Sequence, residues 1–139
     1  DASAQFCLGT CYEHGHGVAK DAKQAAAWYH KAVKQNHALA LYSLGLMCED
    51  GLLALQDGEK KAKDWFARAE NQGMTHQKYF ELLQKAHLED DTMQHCLGKC
   101  YAMGRGVKQN TAESLKWFKK SANQGNTLAK AALQKYQGN

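Results

Sequence analysis

Proline is missing from the 139 residues, where a usage near 5% would place about seven. Proline interrupts helix interiors, so its absence leaves the chain free to run through one helix after another. Arginine is nearly missing too, with Arg68 and Arg105 as the two examples. Nucleic-acid sites favour clustered Lys/Arg and the arginine fork. Here a net charge of +4 is spread over lysines separated by acids, which predicts a solvated surface and no nucleic-acid partner. No apolar run approaches the roughly 18 residues of a membrane span, so no membrane insertion is expected. The opening Asp1-Ala2-Ser3-Ala4-Gln5 reads as neither a signal peptide nor a basic targeting segment. What is present, 44% hydrophobic and 23% charged residues, is the range of one soluble globular domain or a short repeat array.

Internal similarity dominates the chain. Cys7-Leu8-Gly9-Thr10-Cys11-Tyr12-Glu13-His14-Gly15-His16-Gly17-Val18 returns, shifted by 89, as Cys96-Leu97-Gly98-Lys99-Cys100-Tyr101-Ala102-Met103-Gly104-Arg105-Gly106-Val107. A weaker copy, Leu44-Gly45-Leu46-Met47-Cys48-Glu49-Asp50-Gly51, lies 36 residues after the first. The second half of each unit recurs as Trp28-Tyr29-His30-Lys31-Ala32, Trp65-Phe66-Ala67-Arg68-Ala69 and Trp117-Phe118-Lys119-Lys120-Ser121-Ala122. The tryptophans are 37 and 52 apart, one repeat and one repeat plus an extra helix. Each unit reads as two helices. Ala4, Leu8, Cys11 and Tyr12 share helical spacing up to Gly15 and Gly17, and Asp21 with Gln24 then starts a second helix. Asn110 with Glu113 repeats that start. Gly9, Gly45 and Gly98 lie inside helices, where each costs about 1 kcal/mol relative to alanine, and their recurrence predicts close helix crossing.

The combined motif resembles the Sel1-like repeat, a relative of the tetratricopeptide repeat: Leu-Gly-x-x-Tyr, Gly-x-Gly-Val, Asp or Asn before the second helix, and Trp-Tyr/Phe-x-Lys/Arg-Ala followed by Gln-Gly/Asn. The resemblance implies an all-α fold, a right-handed solenoid of about eight helices in a single domain over 1–139. Its units are placed at about 2–36, 38–73, a degenerate 75–91, and 92–125, with a capping helix at 127–136. Thr75 to Ala86 predicts one irregular helix without a partner, and His87 to Asp91 are too few for a crossover. A break in the superhelix is therefore expected near 75–92.

The residues that could carry chemistry mostly have packing roles. Cys7/Cys11 and Cys96/Cys100 are spaced four apart on one helix face, with Cβ atoms about 6 Å apart against the 3.8 Å of a disulfide. They read first as small buried apolar groups. Cys48 takes the place of Tyr12 one repeat later, so Cys11 to Cys48 is the best single disulfide pairing if one forms. Cys7, Cys11, His14 and His16 have zinc-compatible ligand types. The second copy puts Met103 and Arg105 where the histidines stand, so no metal is expected. No strained nucleophile turn or phosphate loop is present; no cofactor and no catalytic residue is expected. Trp28, Trp65 and Trp117, with Tyr12 and Tyr101, are expected to fill the interface between helices.

The resemblance implies a non-enzymatic scaffold that binds a protein or peptide on the concave face. Related solenoids line that face with first-helix residues that vary between units, here Phe6, Thr10, Glu13, Tyr42, Leu46, Glu49, Lys99 and Met103. Phe6, Tyr42 and Leu46 would be the apolar anchors. Two other uses follow from the same family: an immunity or inhibitor protein that neutralises a bacterial toxin or effector, and a β-lactam-binding or hydrolysing envelope protein. A bacterial effector or signalling protein is the partner type implied. The sequence does not choose between a bacterial periplasmic or secreted location and a cytoplasmic one.

Overall fold

The computed structural model describes residues 1–15, 17–53, 58–85 and 90–137, and these form eight α-helices with no strand among them. The helices are α1 (Ala2–His14), α2 (Ala22–Val33), α3 (Ala38–Glu49), α4 (Gly58–Asn71), α5 (His76–Lys85), α6 (Asp91–Met103), α7 (Thr111–Asn123) and α8 (Thr127–Gln137). Two compact units divide the chain, Asp1–Thr75 and His76–Asn139. In the first, α1 packs on α2, α2 on α3 and α3 on α4; in the second, α5 packs on α6, α6 on α7 and α7 on α8. The expected helix from Thr75 to Ala86 is α5. Of the short connection expected from His87 to Asp91, residues 87–89 lie outside the described residues, while Asp90 is the N-cap of α6 and Asp91 its first residue.

One contact builds each helix pair. A Cβ on Gly9 would stand 2.5 Å from the Tyr29 ring, one on Gly45 2.6 Å from Phe66, and one on Gly98 2.7 Å from Phe118. Each glycine of a first helix is thus the seat of the aromatic residue that follows the tryptophan of the second. Tyr29 and Phe118 are wholly buried. The tryptophans, expected in that interface, are instead half-buried beside it. The reason is helical geometry: adjacent residues point about 100° apart, so the ring that enters the glycine notch turns its neighbour outward.

The turns repeat as closely as the pairs. Gly15 (φ 74°) and Gly104 (φ 69°) end α1 and α6 in the left-handed region, where glycine carries no Cβ penalty. The Asp21 amide then donates to the Tyr12 carbonyl at 3.0 Å, and the Asn110 amide to that of Tyr101 at 2.9 Å. Asp21 Oδ1 and Asn110 Oδ1 each accept from the amide three residues on, at 3.1 Å. These caps start α2 and α7 as the sequence predicts. After each second helix the chain passes through a left-handed residue, Asn36 (φ 56°), Gly73 (φ 92°) or Gly125 (φ 93°). Asparagine tolerates that conformation better than most side chains. The next residue caps the following helix where it can: His37 Nδ1 accepts from the Ala40 amide at 3.2 Å, and Asn126 Oδ1 from the Ala129 amide at 2.8 Å.

Two outcomes follow. Gly45→Ala should lower stability in a urea titration by about 1–3 kcal/mol through overpacking, despite alanine's better helix propensity. Combining it with Phe66→Leu should recover part of that loss, since the two residues share one contact. His37 can accept the Ala40 amide only while Nδ1 is unprotonated, and burial lowers its pKa below the ordinary 6.5. The unfolded chain therefore binds this proton more readily. The contribution is fully present above pH 6.5 and is lost as pH falls through that value toward the folded pKa. Burial, with the Arg68 charge, lowers His30 in the same sense. Thermal midpoints should fall between about pH 7.5 and about pH 5, and His37→Asn, which keeps a capping acceptor without a titrating ring, should flatten part of that slope.

Candidate functional site

The variable first-helix residues lie in different degrees of shelter. In the first unit the Phe6 ring is half-buried, stacked on His37 (centroids 4.8 Å apart) and tilted against Tyr29 (5.5 Å). The Thr10 hydroxyl donates to the Cys7 carbonyl at 2.7 Å. Glu13 accepts the Tyr29 hydroxyl hydrogen bond, with His14 Nε2 4.0 Å from the same carboxylate oxygen. Tyr42 is 1% exposed, its ring 4.8 Å from Phe66, and Leu46 is 7% exposed. Glu49 is half-buried. In the second unit Lys99 is 9% exposed, whereas Met103 stands out at 47%. Tyr42 and Leu46 thus lie closed to solvent in the structure. Alternation along α3 could not reveal this, because that helix is apolar on every side and every residue from Ala40 to Cys48 is buried.

Polar seams between paired helices escaped the sequence reading. Gln5 meets Gln35 at 3.4 Å, and 89 residues later Gln94 meets Gln124 at 2.8 Å. The Ser121 hydroxyl donates to the Asp91 carbonyl at 2.6 Å, and the Asn126 amide to the Asp91 carboxylate at 2.9 Å. The exposed faces of the second helices carry a third repeated feature. Lys31 lies 4.1 Å from the Trp28 ring centroid, Arg68 4.8 Å from Trp65, and Lys120 4.4 Å from Trp117. The Lys/Arg of the motif is thus a cation set over the tryptophan three residues before it, worth about 0.5–1 kcal/mol at an exposed site.

The structure joins no two of the five cysteines in a disulfide. Cys7 is exposed, Cys11 half-buried, and Cys48, Cys96 and Cys100 are buried. Burial pushes the Cys48 thiol pKa up, against the opposing effects of a hydrogen bond with Trp65 and the charge of Lys61. In the zinc-like string, His16 lies outside the described residues. Among those described, no three His, Cys, Asp or Glu side chains gather as a metal-ligand group. No described helix is long and apolar enough to cross a membrane. Thiol titration of the native protein should label Cys7 first, and Cys48, Cys96 and Cys100 only on unfolding. In denaturant without reductant the count should be five, with a count of three marking one bridged pair such as Cys11 to Cys48.

The model of the Sel1 repeat family matches residues 2–37, 38–74 and 94–126. The chain is 30% identical to the DAP3-binding cell death enhancer 1 of Rattus norvegicus, over 95% of this chain and 30% of that protein. It is also 30% identical to chitin synthase regulatory factor 3 of Schizosaccharomyces pombe, over 96% of this chain and 13% of that protein. The chain therefore spans less than a third of either relative. Similar solved structures include a Sel1 repeat protein from Oxalobacter formigenes (29% identity, TM-score 0.47, 97% of this chain and 89% of that one). Another is a protective antigen of uropathogenic Escherichia coli with an SLR fold (26% identity, TM-score 0.50, 99% of this chain and 34% of that one). Sel1 repeat proteins are generally protein-interaction scaffolds, and their fold is typically non-enzymatic. With three matched segments covering most of its length, the chain belongs to the Sel1 repeat family.

Proposed function

We propose that this chain is a non-enzymatic adaptor that binds a protein or peptide through the first-helix faces of its repeats. The carrying observation is a division of labour along the first helices. Positions that recur, Leu8/Leu44/Leu97 and Gly9/Gly45/Gly98, maintain the repeat. Positions beside them vary: Phe6, Tyr42 and His95 are equivalent, as are Thr10, Leu46 and Lys99, and the glutamate shared by Glu13 and Glu49 gives way to Ala102. A surface whose packing residues are constant and whose neighbouring residues change is suited to recognition by shape and side-chain identity. The names of two relatives fit this reading, one for binding DAP3 and the other for regulating chitin synthase.

Burial decides which of these residues can test the idea. Tyr42→Ser or Leu46→Ser would remove core volume and cost about 2–5 kcal/mol, confusing unfolding with lost binding. Thr10, Glu49 and Met103 are at least partly open to solvent. Affinity capture followed by mass spectrometry should identify a partner with the unaltered chain. Thr10→Arg, Glu49→Arg and Met103→Glu together should weaken that partner's binding by tenfold or more, about 1.4 kcal/mol, with helical circular dichroism retained. Unchanged affinity in the triple variant would reject the first-helix reading.

A further inference from the structure

The tryptophans of the second helices are equivalent in sequence, yet their surroundings differ in charge. Each stands between a residue four positions before it and one three positions after it, the spacing of a single helix face. These neighbours are Gln24 and Lys31 around Trp28, Lys61 and Arg68 around Trp65, and Glu113 and Lys120 around Trp117. Trp65 alone has a cation on both sides, and one of them is an arginine in a chain that has two. Arg68 lies 4.8 Å from the ring centroid, and the His30 ring of α2 meets the same indole in a T-shaped contact at 5.5 Å. A hydrogen bond with the buried Cys48 fixes that indole in place.

The cations of this cluster have no protein counter-charge. Asp64 stands four residues before Arg68, a spacing that suits a helical ion pair. Arg68 nevertheless lies over Trp65, and neither it nor Lys61 makes an ion pair among the described residues. Burial, with the Arg68 charge, holds the His30 pKa below 6.5, so above that value its ring is a neutral N–H donor. Two full positive charges and one neutral donor thus gather around a single anchored ring. We infer that the Trp65 face is a phosphate-binding site that receives a phosphorylated serine or threonine of a partner protein. The arginine fork supplies paired donors and Lys61 a point charge. A phosphoserine carries about −1.5 to −2 at neutral pH and three acceptor oxygens, which matches two cations and a third donor; a carboxylate would leave one cation unanswered. The site lies on the second helices, apart from the first-helix surface proposed above, so the failure of either leaves the other standing.

The probe is the blocked peptide acetyl-glycyl-phosphoseryl-glycine amide, titrated into the intact, isotope-labelled protein at about pH 7.5 and constant ionic strength, where the phosphate is mostly dianionic. The indole N–H signals in a proton–nitrogen correlation spectrum are the readout, assigned with Trp28→Phe, Trp65→Phe and Trp117→Phe. The Trp65 signal should shift saturably at millimolar peptide while those of Trp28 and Trp117 stay still. Lys61 and Arg68 are exposed, so Lys61→Gln and Arg68→Gln should each weaken binding about fivefold with helical circular dichroism retained. Arg68→Lys, which keeps the charge and loses the fork, should fall between. The same peptide with glutamate in place of phosphoserine should bind about fivefold more weakly or worse. No saturable shift at tens of millimolar overturns the proposal, as does equal movement of all three indoles or equal binding of the glutamate peptide. So does Arg68-dependent sedimentation with phosphoinositide vesicles when the peptide causes no shift, which would assign the site to a membrane.

Discussion

The contact between a helix glycine and a buried aromatic ring sets the architecture of every pair. At Gly9, Gly45 and Gly98 the missing Cβ leaves room for Tyr29, Phe66 and Phe118, and no side chain larger than hydrogen fits without moving the ring. Glycine inside a helix costs about 1 kcal/mol relative to alanine. Burying an aromatic side chain returns about 1.5–3 kcal/mol, so the exchange favours the close crossing. The rest of the motif follows from that crossing. The ring's neighbour, tryptophan, turns to the flank and takes a cation from the next turn. The αL glycines then reverse the chain soon after the first helix ends, so that the second can return along it.

The same local sequence meets different surroundings, and burial follows the surroundings. Cys7-Leu8-Gly9 and Cys96-Leu97-Gly98 are identical triplets, yet Leu8 is 42% exposed and Leu97 2%. Local propensity forms both helices; it cannot state what lies on the far side. A solenoid unit buries its apolar faces only against neighbours, so exposure of a repeat residue reports its place in the array more than its chemistry. Cys7 is accordingly the most accessible thiol of the five while its copy, Cys96, is sheltered, a difference that no residue-by-residue comparison of the two helices predicts.

Fold and site were legible to different depths. The helix pairs, their caps at Asp21 and Asn110 and the odd helix α5 could be read from spacing, because periodicity and turn chemistry are local. Close crossing at the glycines was legible, but the ring that fills each notch was not. A Trp-Tyr or Trp-Phe pair presents two large rings, and only the helix phase decides which one enters. The candidate site was less legible still. Phe6, Tyr42 and Leu46 are apolar at variable positions, which suits either a recognition surface or a packed one. Tyr42 and Leu46 lie on α3, apolar all round, where sequence offers no polar side to mark the outside.

Divergence between units is itself ordered by the cost of burying polar groups. Tyr29 and Glu13 are joined by a hydrogen bond, and their equivalents are Phe118 and Ala102, a ring without a hydroxyl beside a methyl. Losing one partner alone would leave a sheltered hydroxyl or carboxylate unsatisfied, at about 1–3 kcal/mol or more. Replacing both keeps the ring in its glycine seat and removes the penalty. The second unit has its own link at the opposite end of the pair: Ser121 and Asn126 both hold Asp91, where the first unit has Ala32, His37 and Ala2. Between the α1/α2 and α6/α7 pairs the polar changes therefore come as matched sets, whereas the α3/α4 pair keeps Glu49 with Phe66 in the place of Tyr29. Thr10 and Met103, whose side chains are at least partly open to solvent, escape that constraint, and such positions are where a repeat protein can alter its partner without disturbing its fold.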